Sequence, residues 1–116
     1  REEAVLIFPA GGISVMSLKG VTDKKWKNGV TWFSRDHHAD ILPVFIGGRF
    51  NLFYYFCPDR VRRFLVIRNS LHPGFKEVKI VTGNIIPHQE IMKGSDISAI
   101  TSWLRSATYR LGRKNE

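Results

Sequence analysis

Negative charge is scarce in this chain. Ten Asp and Glu stand against eighteen Lys and Arg, a formal net charge of +8. A surface so biased attracts anions, whether phospholipid headgroups, acidic carrier proteins or nucleic acid, and carries no information about fold. Cysteine is nearly absent. Cys57 stands alone, so no internal disulfide can form; a reducing compartment and a buried, inert thiol are the expected reading. No stretch reaches the ~18 apolar residues that a membrane-spanning helix requires. The first residues, Arg1-Glu2-Glu3, hold neither an initiator methionine nor an apolar signal run and read as a cut end.

Several chemical signatures are missing too. The nucleotide-binding pattern G-x-x-x-x-G-K-[ST] does not occur. No G-x-S-x-G elbow surrounds Ser14, which leaves it a candidate nucleophile by exposure only. His37 and His38 are adjacent, and neighbours in a helix point apart, so they make a poor metal pair. His72 and His88 sit beside prolines in expected turns. The absence of RNP, zinc-finger and GXXG motifs counts against nucleic acid as a partner.

What is present has the order of an α/β layer fold within at most one domain of 116 residues. The continuous apolar run Val5–Phe8 reads as a short central strand, stopped by Pro9 because proline lacks the N–H of a ladder. Residues 9–14 form a turn, and 15–24, without periodicity, an irregular loop. A helix is expected from Asn28 to about His38, with Val30 and Phe33 on one face. Ile41–Ile46 is the second central strand, although Pro43 argues against regular pairing there, and Gly47-Gly48 ends it. Pro58 can open a helix over Asp59–Ile67; Asn69–Gly74 is a turn. Glu77–Thr82 alternates as a strand near a sheet edge. The last helix is the clearest: Ser95 as N-cap, an apolar stripe of Ile97, Ile100, Leu104, Ala107 and Leu111, and Gly112 as its stop.

Four places carry candidate chemistry. Consecutive glycines after Pro9 and Ala10 expose backbone N–H groups that can cradle an oxyanion. Lys24, Lys25 and Lys27 cluster around Trp26, either as a solvated face or as an anion clamp held down by the indole. Arg49 follows the strand 41–46, where an α/β crevice opens. Arg60, Arg62 and Arg63 follow the aromatics 53–56. That combination is expected to be a core helix with a basic outer side; a membrane-interface helix and a single-strand nucleic-acid surface are the alternatives.

The order of these motifs resembles the C-terminal half of the glycerolipid acyltransferase domain of the lysophosphatidate acyltransferase type. The chain is most similar to the hemolysin-like bacterial branch, related to enzymes that acylate lyso-ornithine lipid. Phe8-Pro9-Ala10-Gly11-Gly12-Ile13-Ser14 matches the family's Phe-Pro-Glu-Gly-Thr-Arg-Ser, with the branch's Phe-Pro-Ala-Gly kept and the family's Glu and Arg replaced by Ala10 and Ile13. Trp26-Lys27-Asn28-Gly29 matches its Phe-Lys-x-Gly, and Leu42-Pro43-Val44 its Val-Pro-Val block. Arg49–Tyr55, Gly83, Ile86-Pro87, Leu104-Arg105 and Thr108-Tyr109 continue the series. The family's His-x-x-x-x-Asp element is not in this sequence.

The resemblance implies an α/β fold, a partial acyltransferase domain with a mixed central sheet flanked by helices. Residues 1–116 would be its C-terminal part, and the part bearing the catalytic motif would lie outside. It implies acyl transfer from an acyl-carrier protein or acyl-CoA thioester to the hydroxyl of a lysolipid acceptor, at the inner face of the cell membrane, without cofactor or metal. The missing histidine would be the general base, oriented by its aspartate. Acceptor-binding residues carried over onto this chain are Phe8, Pro9, Ala10, Gly11, Gly12, Ser14, Lys27, Gly29 and Arg49. The alternative is a non-catalytic basic module on anionic membrane surfaces; nucleic acid is the least favoured partner.

Overall fold

The computed structural model describes residues 3–12, 15–17, 20–47, 56–70 and 78–113. Its strands are β1 (Val15–Ser17), β2 (Gly20–Thr22), β3 (Val44–Gly47) and β4 (Lys79–Thr82), and its helices are α1 (Gly29–His37), α2 (Asp59–Ser70), α3 (His88–Lys93) and α4 (Ile97–Arg113). The mixture of helices and strands is as expected. The mixed central sheet is not found: among the described residues both sheets are two-stranded and antiparallel, β1 with β2 and β3 with β4.

Pro43 explains how β3 begins. Ile41 exchanges both backbone hydrogen bonds with Ile86, N to O at 2.9 and 2.8 Å. The ladder resumes with Gly83 N–H donating to Pro43 O at 2.9 Å and runs on through Val44↔Thr82 to Gly47↔Lys79. Proline contributes its carbonyl there and is never asked for an N–H. The side chains of 43, 45 and 81 turn toward α4, and Pro43 is buried. On the opposite face, Ile46 and Ile80 pair in register and both stay exposed.

Among the described residues the core is formed by Ile86, Ile91, Ile100 and Leu104, with Trp26, Val30 and Ile41 packed against it. α4 supplies its centre, and Ile100 and Leu104 belong to the stripe read from the sequence. Between α1 and α4 hydroxyls share the contact with Val30. Thr31 and Thr101 are buried with their Oγ1 atoms 2.7 Å apart. Thr101 spends its one proton on the carbonyl of Ile97, at 2.9 Å, so Thr31 must be the donor between the pair. Small polar side chains that bond back to their own helix allow α1 and α4 to approach without stranding a buried polar atom.

α3 has only six residues, too few to hold a helix by itself. Neighbours satisfy both of its ends. Asp40 Oδ1 accepts from the backbone N–H of His88 at 2.9 Å. At the other end the Arg35 guanidinium donates from Nη2 to the carbonyl of Ile91 at 3.1 Å and also to that of Gly94. These are the groups a helix leaves orphaned. α1 ends at His38 in the left-handed conformation, φ 52°, with Ala39 N–H bonded to Ser34 O at 3.0 Å.

Five expectations need correcting. Val5–Phe8 is not a strand; its backbone is without ladder partners among the described residues, and Val5, Leu6 and Phe8 are exposed. The loop 15–24 holds the hairpin β1–β2, whose three-residue strands are too short for periodicity to register. The cap of α4 is Asp96, not Ser95: its Oδ1 accepts from Ser98 N–H at 2.9 Å, the usual two-residue reach of an N-cap carboxylate. Gly112 does not stop α4, which continues to Arg113. A Cβ on Gly112 would lie 2.5 Å from Cζ of Phe45, so glycine is there to let the ring lie against the helix. Finally, α2 is not a core helix: Val61, Phe64 and Ile67 are exposed. It also runs on to Ser70, into the turn expected over Asn69–Gly74. The rest of that turn, His72 and Gly48 lie outside the described residues.

Candidate functional site

The stretch Phe8–Gly11 closes a tight turn. Gly11 N–H donates to Phe8 O at 3.1 Å. Proline is at the second position, and Ala10 keeps a negative φ, since His38 is the only described non-glycine residue with positive φ. That is the type I arrangement, with Gly in its favoured last place. Gly11 itself has φ +60°, which turns the chain again at no cost to a residue without Cβ. One part of the expectation fails here. The Gly11 amide is consumed by the turn, so it is not offered to a ligand. Gly12 follows it in the open, and Pro9 and Ala10 are half-buried.

Lys27 meets this turn. Its backbone N–H donates to Pro9 O at 2.9 Å. Its side chain lies across Gly11, where a Cβ would stand 3.5 Å from Nζ and 3.6 Å from Cε. The ammonium therefore sits over the tightest part of the turn, exposed to solvent. Gly29, the first residue of α1, follows two positions later, and a Cβ there would meet nothing within 4 Å. Phe8, Pro9, Ala10, Gly11, Gly12 and Lys27 thus form one surface, and no contact joins Gly29 to it. Ser14 and Arg49 lie outside the described residues.

The segment bearing Lys27 is held by α4. Asp23 N–H donates to the Tyr109 hydroxyl at 2.8 Å, and Arg105 donates from Nη2 to the carbonyl of Asp23 at 3.1 Å. The two side chains are one helical turn apart, with the Arg105 guanidinium 5.0 Å from the Tyr109 ring centre. Burial is the main cause that pushes the Tyr109 phenol above its ordinary pKa, with the amide of Asp23 pulling the other way. The Trp26 indole donates to Asp23 Oδ2 at 3.4 Å and packs on the core, so the anchoring role expected of this tryptophan has a geometric basis. Asp23, Arg105 and Tyr109 were not among the candidates. Their signal in the sequence was slight: Arg105 and Tyr109 stand at i, i+4 beside the apolar stripe of α4, on one flank of it.

Beyond Trp26 lies a shallow open groove of about 360 Å³, lined by Lys25, Asn28, Ser98, Ser102, Arg105 and Ser106 among others. Its walls combine the Trp26 ring and aliphatic stems with hydroxyls, an amide and two cations.

Among the described residues the histidines do not form a site. His37 packs on Phe33 with ring centres 4.6 Å apart, and His38 meets His88 edge-on at 5.4 Å. His88 Nδ1 is 3.2 Å from the Asp40 carboxylate. The amide and then the side chain of His88 hold the Asp40 carboxyl below its usual pKa. Among the described residues no group of three or more His, Cys, Asp or Glu side chains could hold a metal, and no helix is long and apolar enough to cross a membrane. Comparison with protein-family models, curated proteins and solved structures finds no match for the chain.

Proposed function

We propose that this chain is the acceptor-binding part of an acyltransferase that moves an acyl group from an acyl-carrier protein or coenzyme A thioester to the hydroxyl of a lysolipid. The observation that carries the reading is the meeting of two motifs that are separate in the chain: the Lys27 amide grips Pro9 O at 2.9 Å and the Lys27 ammonium covers Gly11. An exposed cation over an open turn, beside the uncovered Gly12, is a receptacle for the anionic or strongly polar end of a lipid. The chemistry needs a base that this sequence does not contain. In the proposed reading a His-x-x-x-x-Asp element outside it deprotonates the acceptor hydroxyl, and the alkoxide attacks the thioester carbonyl with the thiol as leaving group. A thioester is already activated, so holding the acceptor in line supplies much of the acceleration. The +8 charge supports work at an anionic membrane surface with an acidic carrier as donor.

The test is kinetic and uses the intact protein. Lys27→Ala should raise KM for an anionic lysolipid about tenfold, the order expected for losing a charge-assisted contact, with kcat little changed. Unchanged constants would remove Lys27 from the site. Intact protein that transfers no acyl group to any lysolipid would leave the alternative, a non-catalytic basic module on anionic membranes.

A further inference from the structure

α2 mixes apolar and basic side chains along one side, and no other described element packs extensively against it. Val61, Phe64 and Ile67 recur every three residues, and they are 45%, 65% and 62% exposed. At 100° per residue they span a sector of about 120°, and Arg60 and Arg68 fall inside that sector with Arg63 about 40° beyond it. All three arginines are exposed. Arg62 is turned the other way: it pairs with Asp59 at 3.3 Å and donates to the carbonyl of Cys57 at 3.1 Å. One side of the helix therefore fastens to its own N-terminus, and the other offers an aromatic and two aliphatic side chains among three cations. Phe56, just before the helix, is exposed as well.

A protein core would not tolerate the arginines, and water gains nothing from the phenylalanine. An anionic bilayer surface suits both. Apolar side chains enter the boundary between headgroups and acyl chains, while guanidinium groups bend back to the phosphates. We propose that α2 is a membrane-docking helix of this protein, and that the surface it takes is an anionic phospholipid bilayer. The charge complementarity argues for lipid over a second copy of the chain, since two such faces would bring six arginines together. The inference rests on the membrane part of the proposed function and locates it at α2, separate from the Lys27 turn.

The experiment is vesicle flotation of the intact protein with phosphatidylcholine vesicles and with mixed phosphatidylcholine–phosphatidylglycerol vesicles. Wild-type protein should bind the mixed vesicles selectively. Replacing Arg60, Arg63 and Arg68 together by Gln should weaken that binding about a hundredfold, roughly fivefold per charge. The Phe64→Ser/Ile67→Ser double variant should weaken it about tenfold. These positions are exposed, and unchanged thermal melting of each variant shows that folding is intact. The control is Lys24→Gln/Lys25→Gln, exposed cations away from α2, which should cost much less than the arginine triple. Equal losses per charge removed in control and triple would mean diffuse charge attraction and overturn the role of α2. Mixed vesicles bound equally by all variants would overturn it while leaving the membrane reading standing. No binding by wild type would overturn both. A wild-type dimer that Phe64→Ser/Ile67→Ser converts to monomer, without vesicle binding, would assign the face to a second copy and overturn the inference. Acyl transfer to a dispersed, monomeric lysolipid should keep its constants with the α2 changes, and KM should rise only with those at the Lys27 turn.

Discussion

Gly112→Ala puts a methyl group where the Phe45 ring already lies. An ideal Cβ on Gly112 would be 2.5, 2.6 and 2.9 Å from Cζ, Cε1 and Cε2 of that ring, against a preferred carbon–carbon separation of about 3.5–4.0 Å. The ring must retreat by roughly 1 Å. Phe45 is hemmed in, with Tyr109 edge-on at 6.0 Å and its strand fixed by the ladder to β4. Overpacking of this kind costs about 1–3 kcal/mol. Opposing it, alanine is favoured over glycine in a helix by up to about 1 kcal/mol, and by less in a last turn that frays. The net expectation is destabilisation of about 1–2 kcal/mol, read as a lower midpoint in urea unfolding with unchanged slope. The companion variant is Phe45→Leu. In that background the methyl has room, and Gly112→Ala should become neutral or slightly stabilising, a coupling of about 1–2 kcal/mol. The cycle separates two roles for one residue. A glycine needed to end the helix would lose the same stability in both backgrounds, whereas a glycine needed for contact loses it only when the ring is present. Equal penalties in both, or a gain in wild type, would refute the packing argument.

Asp40→Ala should destabilise the protein at neutral pH by removing the acceptor for the first amide of α3. Because the folded state holds the Asp40 carboxyl below its ordinary value, its contribution is complete above the unfolded carboxylate range and fades as pH falls through the lowered folded value. Wild-type and variant stabilities should therefore converge in acid; a gap that persists there would show that the carboxylate charge is not what matters. His38→Gly should stabilise by about 1 kcal/mol, since φ 52° strains any residue with a Cβ; a fall in thermal midpoint would mean that the His38–His88 ring contact outweighs that strain.

Elements with long or strongly marked patterns were legible. α4 showed its stripe, α1 was found within a residue at either end, and Pro58 announced α2. Pro43 both interrupted and located the start of β3. What the sequence could not show was contact between distant parts. Asp40 and Arg35 cap α3 from another element, so nothing near residues 88–93 signals that so short a helix will hold. Asp96 and Ser95 are both good caps, and only geometry chooses between them. Gly112 looks identical as a stop and as a spacer. The apolar run Val5–Phe8 has the composition of a buried strand, but composition cannot supply a neighbouring strand to pair with. At the candidate site, the glycine turn and Lys27 were legible as motifs, while the occupation of the Gly11 amide by Phe8 O was not, since a turn's hydrogen bond depends on the φ of its middle residues.

α4 works as a ruler. Thr101 measures against Thr31, Arg105 and Tyr109 against Asp23, and Gly112 against Phe45. One residue inserted after Ser102 would swing every later mark by about 100° around the axis, parting the helix from the sheet and from the strand of chain that carries Lys27 in the same stroke. Point changes along this helix are absorbed locally. A change in its length is not, because three separate regions take their alignment from a single rod.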